Sequence, residues 1–245
     1  MNPAGGGRAI EIVARERILR VALANPPDNR LTPGMVEGLD EAMSRLESDD
    51  LDVLVITGAK RAFSKGFDVE AMKSYRDRST LRAGLGLLNA VFTRIARSPK
   101  LTVAAINGAC MGGGLELAMA CHFRVCSEKA RLGLPEVWLR LIPGLGGVYR
   151  LARLVGQAKA LELVALGDLI TAEEALRVNL VSRVFPQDDF GERVASFVGA
   201  LATADQKVIR ELIRLTACSA TLGEDANIDR AADSFVELLG CVQRG

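Results

Sequence analysis

Two glutamates and a run of glycines hold most of the chemistry open to this chain. Glu116 follows Gly112-Gly113-Gly114-Leu115, and Glu136 follows Leu134-Pro135, so both carboxylates stand where regular structure is interrupted. The first amides of a helix lack intrahelical partners and carry the positive end of its dipole; glycines there let an oxygen approach the main chain. Such a site suits developing negative charge, and two carboxylates nearby suit general acid–base work. Each feature also has a plain structural reading. A glycine run serves close helix–strand packing, an acidic residue is favoured in any first helical turn, and a glutamate after proline in a turn can be merely exposed. The chain has a single histidine, His122, placed at a helix end. That count argues against a histidine triad or a multi-histidine metal site and leaves proton transfer to carboxylates, Lys, Tyr or Cys.

The elements that must position these residues can be read from the apolar pattern. Val103 to Ile106 is a short buried strand, Asn107-Gly108 breaks it, and Gly114 to Ala120 is an Ala- and Leu-rich buried helix. Earlier, Ile10–Val13 and Ile18–Leu23 read as strands around the charged turn Arg15-Glu16-Arg17. Thr32-Pro33 starts a helix whose apolar face is Met35, Val36, Leu39, Ala42, Met43 and Leu46. Asp52 to Gly58 is a buried strand, residues 62 to 69 a loop turning into a short helix, and Leu85, Leu88, Val91, Phe92 and Ile95 mark a helix stopped before Pro99. Strand, glycine loop and helix thus occur twice, which predicts parallel α/β layering. Beyond Glu136, Leu141 to Gly147 forms a second glycine-rich turn into a helix, Thr171 and Glu174 fit a capping box, and Val181 to Phe185 is a last strand. From about residue 188 onward the pattern is wholly helical. We divide the chain into a core, residues 1–187, and a helical C-terminal region, residues 188–245, suited to a lid or to oligomer contacts.

Composition narrows the partners. At 245 residues the chain can bury a sizeable core, and 31 Lys plus Arg against 30 Asp plus Glu leave no excess charge to recruit nucleic acid or an acidic membrane surface. No apolar stretch reaches the ~20 residues of a membrane span, and Met1 to Arg8 reads as a loose end without signal-peptide character. Five cysteines, an odd number with no C-x-x-C spacing, suggest neither a disulfide framework nor a zinc site, and point to a cytoplasmic protein with reduced thiols.

Taken together, Ala62-Phe63-Ser64-Lys65-Gly66-Phe67-Asp68, Ala105-Ile106-Asn107-Gly108 with Gly112-Gly113-Gly114-Leu115-Glu116, Leu134-Pro135-Glu136, and Ile142-Pro143-Gly144-Leu145-Gly146-Gly147 with Arg150-Leu151 closely resemble the crotonase, or enoyl-CoA hydratase/isomerase, superfamily. The match is in order and runs from about Ile12 to Leu239. The resemblance implies a spiral of strand-strand-helix units with a helical C-terminal region that packs into homotrimers or hexamers, an acyl-CoA thioester substrate, and no metal or redox cofactor.

By position in the motifs, the resemblance assigns the main-chain amides of Phe67 and Gly113 to the thioester oxygen. It assigns catalysis to Glu116, mainly with water, and Glu136, with the α-proton. Substrate contact is expected at Ala62, Ser64, Lys65, Gly66, Asp68, Val69, Gly108, Gly112, Pro135, Leu141, Pro143 and Gly144. The paired glutamates resemble those of hydratases. Gly144 stands where dehalogenase-like and dienoyl-isomerase members carry an aspartate, which disfavours those reactions. Lys65 and Phe67 replace residues that are small in many hydratases, and Lys65 is a candidate for a CoA phosphate. The expectation is a trans-2-enoyl-CoA hydratase, with an enoyl-CoA isomerase or a carrier-protein-thioester dehydratase as alternatives.

Overall fold

The computed structural model describes residues 9–67, 77–219 and 221–242. Its frame is a six-stranded sheet: β1 (Ile10–Arg15), β2 (Ile18–Leu23), β3 (Val53–Gly58), β5 (Leu101–Ile106), β7 (Phe123–Ser127) and β10 (Arg183–Phe185), in that spatial order. β1 and β2 pair antiparallel across a turn in which Glu16 and Arg17 both take positive φ, the left-handed pair that a two-residue hairpin demands. Every later neighbour in this sheet is parallel. A second, smaller sheet joins β4 (Ala62–Ser64), β6 (Ala109–Met111), β8 (Arg131–Gly133) and β9 (Ile170–Thr171).

The chain therefore winds as a spiral. β3, β5 and β7 lie in the large sheet and are followed by β4, β6 and β8 in the small one. Helices return the chain: α1 (Pro33–Leu46) after the hairpin, α2 (Arg78–Ala96) before β5 and α3 (Gly113–Ala120) after β6. The α/β expectation holds. The strands β4 and β6 are a difference, because residues 62–64 read as loop in the sequence and residues 109–111 show no element there. They are too short to show alternation and exist through pairing with one another.

Alternating residues of the large sheet feed two cores. Leu19, Val21, Leu23, Leu54, Ile56, Ala104 and Ile106 face one way, toward α1, α2, α3 and the small sheet. Val53, Val55, Leu101, Val103, Ala105 and Val125 face the other way, against Phe190, Val194 and Val198 of α7 (Phe190–Ala202). Burial on both faces explains why the parallel strands read as continuous apolar runs rather than alternating ones. Between β8 and β10 run a 3-10 turn (Pro135–Leu139), α4 (Gly147–Val155), α5 (Gln157–Leu166) and α6 (Ala172–Arg177); α8 (Gln206–Cys218) and α9 (Glu224–Val242) follow α7.

The helix starts follow capping chemistry. Thr32 accepts from the Met35 amide with Pro33 in the first turn, and Asp77 accepts from Ser79 and Thr80. Thr171 accepts from the Glu174 amide, while the Glu174 carboxylate pairs with Arg177 and Lys159. His122 locks α3 to β5: its Nδ1 accepts from the Thr102 amide at 3.1 Å and its own amide donates to Thr102 Oγ1. Burial pushes that imidazole down to about 4, so it is neutral and structural, as its position suggested.

Candidate active site

The site lies where the second strands of successive turns end beside the start of α3. Asn107 fixes this corner: its Oδ1 accepts from the Gly58 amide at 3.1 Å, and its Nδ2 donates to the carbonyls of Gly58 and Lys60 at 2.9 and 2.8 Å. Asn29, buried and in the left-handed region, donates to Ala59 and Ala62 from the other side. Two side chains thus satisfy the main chain of the 58–62 turn and aim the following segment. Gly108 belongs to this frame: a Cβ there would lie 2.0 Å from the Arg61 carbonyl oxygen. Packing thus requires a glycine at this position.

Beyond the turn, Ser64 Oγ accepts from the Gly66 amide, and the Leu31 amide donates to the Gly66 carbonyl at 2.8 Å. Leu31 and Phe67 form a parallel bridge, and with Leu31 donating to residue 66 the Phe67 amide faces away from it. On the neighbouring segment Gly112 has φ +52, and its amide donates to the Gly133 carbonyl. The next amide, that of Gly113, opens α3. Among the described residues neither the Phe67 nor the Gly113 amide meets an acceptor. The two segments touch, because a Cβ on Gly66 would fall 2.9 Å from the Gly113 nitrogen and one on Gly113 would fall 2.9 Å from the Phe67 ring. Two donors without acceptors among the described residues therefore lie on touching segments, one of them at a helix start, and such an arrangement can hold a developing oxyanion.

Glu116 is 2 % exposed, and its Oε1 accepts from the amides of Leu145 and Gly147 at 2.7 and 2.8 Å. Burial pushes its carboxyl up, against the pull of those two amides and of the Arg150 guanidinium. Glu136, in the 3-10 turn, is half-buried; burial pushes it up to about 7, opposed by its own backbone amide and reinforced by the charge of Glu116. Its Oε2 is buried and finds no partner among the described residues. Gly112 leaves room for it, since a Cβ there would lie 2.9 Å from Glu136 Oε1. The structure thus brings together Phe67, Gly112, Gly113, Glu116 and Glu136.

The remaining expected residues fall around this centre. Pro135 opens the 3-10 turn, Pro143 packs beside Gly147 and Glu116, and Gly144 is exposed with its carbonyl accepting from Asn89 of α2. Leu141 lies on an exposed apolar rim with Trp138, Leu139 and Ile142. Ala62 and Ser64 are buried in β4. Lys65 lies on the surface, where its Nζ pairs with Asp28 at 2.9 Å and its amide donates to the Asp28 carbonyl. Asp68 and Val69 lie outside the described residues. The sequence had marked Asn107 only as a strand breaker and gave no sign of Asn29 or of the Arg150 contact with Leu145. Side-chain bonds to distant main chain leave no periodic trace.

With this geometry in place, residues 14–239 match the enoyl-CoA hydratase/isomerase family model. The chain belongs to that family. It is 36% identical over 94% of its length to a probable enoyl-CoA hydratase of Bacillus subtilis, covering 90% of that protein. It is 34% identical to a crotonyl-CoA hydratase of Syntrophomonas wolfei, over 91% of this chain and 87% of that one. The crystal structure of an enoyl-CoA hydratase from Bacillus anthracis superposes with a TM-score of 0.89 at 27% identity, covering 95% of this chain and 91% of that chain.

Proposed function

We propose that this protein is a 2-enoyl-CoA hydratase that adds water reversibly, and syn, to a trans-2-enoyl-CoA thioester. The observation that carries this reading is the unlike surroundings of its two carboxylates, one held by two amides and the other with a buried oxygen that has no partner among the described residues. Glu116 has one oxygen gripped by two amides, which favours the anion and leaves the other oxygen to orient water and take its proton. Glu136, pushed up to about 7, still holds a proton in much of the population at neutral pH and can deliver it to the α-carbon. The water oxygen bonds to the β-carbon as the carbon–carbon π pair moves toward the thioester, whose oxygen the Phe67 and Gly113 amides would hold. In mutational tests elsewhere such a donor is worth about 3–4 kcal/mol. The proton gained by Glu116 balances the one lost by Glu136, and exchange with solvent restores both. No electrons are exchanged, so the chemistry calls for no redox cofactor.

Exposed apolar side chains on α8 and α9, among them Leu212, Ile228, Phe235 and Val236, support assembly as a homotrimer or hexamer. Among the described residues Cys110, Cys121, Cys126 and Cys218 are unpaired, which suits a cytoplasmic setting, and no helix is long and apolar enough to cross a membrane. The test is loss of the conjugated-thioester absorbance on mixing with crotonyl-CoA and with a longer trans-2-enoyl-CoA. E116Q and E136Q are each expected to lower the rate by about two orders of magnitude or more. Binding of both thioesters without turnover would defeat the hydratase reading and redirect it to isomerisable or carrier-bound substrates.

A further inference from the structure

Arg150 stands behind the turn that grips Glu116. Its Nη1 donates to the Leu145 carbonyl at 2.5 Å, while the Leu145 and Gly147 amides on either side of that carbonyl donate to Glu116 Oε1. Between them Gly146 takes φ 81 and ψ 13, and a Cβ there would lie 2.7 Å from Arg150 Nη1. A left-handed residue between two amides turns both N–H groups to one side as an anion-binding nest and sends the intervening carbonyl to the other. The three-residue turn is therefore clamped, with a carboxylate on its donor side and a guanidinium on its acceptor side. The Arg150 amide also donates to the Gly146 carbonyl, so the backbone that carries the guanidinium is fixed to the same turn.

We infer that Arg150 is a positioning residue for the reaction: it holds the 145–147 turn closed on Glu116, and so sets the direction in which the free oxygen of that carboxylate is presented and favours its anionic form. The inference rests on the reading of Glu116 as the group that takes the proton from water. The influence is mutual, for Arg150 draws the Glu116 carboxyl down against burial and Glu116 draws the guanidinium up against burial. The charged groups facing Glu116 are Arg150 from α4 and Glu136 from the 3-10 turn. Among the described residues α2, β4, β5 and β6, which also pack on α3, bring no other.

The test uses the full chain as R150Q and R150K. R150Q keeps a donor for the Leu145 carbonyl but drops the charge; R150K keeps the charge but loses the planar fork. Two readouts are taken: an infrared titration of ¹³C-glutamate-labelled protein, with the Glu116 band identified by its loss in E116Q, and kcat and KM for crotonyl-CoA across pH. In R150Q the Glu116 midpoint and the acid limb of kcat/KM move up together, and kcat falls about tenfold or more while KM changes less than about threefold. R150K leaves the midpoint near that of wild type and lowers kcat by less. An unmoved midpoint in R150Q overturns the inference, as does an equal kcat loss in both variants without a titration shift, which marks a merely structural arginine. Should R150Q fail to fold, R150K decides: wild-type kcat overturns the inference, and a several-fold loss with KM intact supports it. If wild type does not hydrate thioesters, the functional reading falls while the infrared titration still decides whether Arg150 governs Glu116.

Discussion

Alanine at residue 147 separates the grip on Glu116 from ordinary helix energetics, because the two effects have opposite signs. Gly147 is the first residue of α4 and its φ lies outside the left-handed region, so its backbone admits any L-residue. In a helix, replacing glycine by alanine normally gains roughly 0.5–1 kcal/mol. Here the new methyl would lie 2.7 Å from Glu116 Oε1, 2.9 Å from Glu116 Cγ and 2.8 Å from Pro143 Cβ. Carbon contacts settle near ~3.5–4 Å, so each neighbour must give by about 1 Å. Pro143 is buried, and Glu116 is held by two amides. Overpacking of this kind costs about 1–3 kcal/mol, which leaves G147A less stable than wild type by ~0.5–2 kcal/mol after the propensity gain. A carboxylate displaced by about 1 Å should lose on the order of 100-fold in kcat/KM. Urea midpoints and crotonyl-CoA hydration rates measure both quantities. G144A is the stability control: no atom lies within 4 Å of its new methyl, and its stability should match wild type within about 0.5 kcal/mol. A G147A protein more stable than wild type, with kcat/KM within about twofold of it, would refute the reasoning about Glu116, since steric displacement of the carboxylate is what produces the loss.

The proton form of Glu136 diminishes as pH rises through about 7, so kcat/KM for hydration should decline above that value, and whatever activity E136Q retains should lack this limb. Folding is linked in the same direction: a carboxyl raised in the folded state contributes stability that is complete below its unfolded value, near ~4.3, and is lost as pH climbs toward 7. Urea midpoints at pH 5 and pH 8 should therefore differ less in E136Q than in wild type; an equal difference would remove Glu136 as the source. N107A strips Gly58 and Lys60 of three hydrogen bonds and should destabilise by about 1–3 kcal/mol in urea titration, whereas an unchanged midpoint would show that water replaces the amide side chain at no cost.

The sequence made the frame legible where burial imposes a period. The face of α1, the face of α2 and the apolar runs of β2, β3 and β5 follow from spacing, and the turn at Glu16-Arg17 from its charge. β4, β6 and β9 were hidden, because two or three residues cannot show alternation and their existence depends on neighbours distant in the chain. The same division holds at the site. Glycine runs announce places where main chain must come close, and they led to Gly112, Gly113 and the 144–147 turn. The grip of that turn on Glu116, the orphaned oxygen of Glu136 and the Lys65–Asp28 pair join residues far apart in sequence, and only folded coordinates reveal them.

The paired donors at 67 and 113 belong to peptide bonds, and this has a consequence for descent. Apart from a change to proline, no codon substitution at either position deletes an N–H. A lineage can therefore exchange the ring of Phe67 for another side chain and reshape whatever lies over α3 without passing through an ancestor that has lost those donors. The glycines at 66, 112 and 147 are constrained in the opposite way, each by the atoms of its own neighbours. On the proposed reading, residue 67 and the two carboxylates are therefore the positions at which a single replacement is expected to redirect the chemistry and leave the scaffold standing.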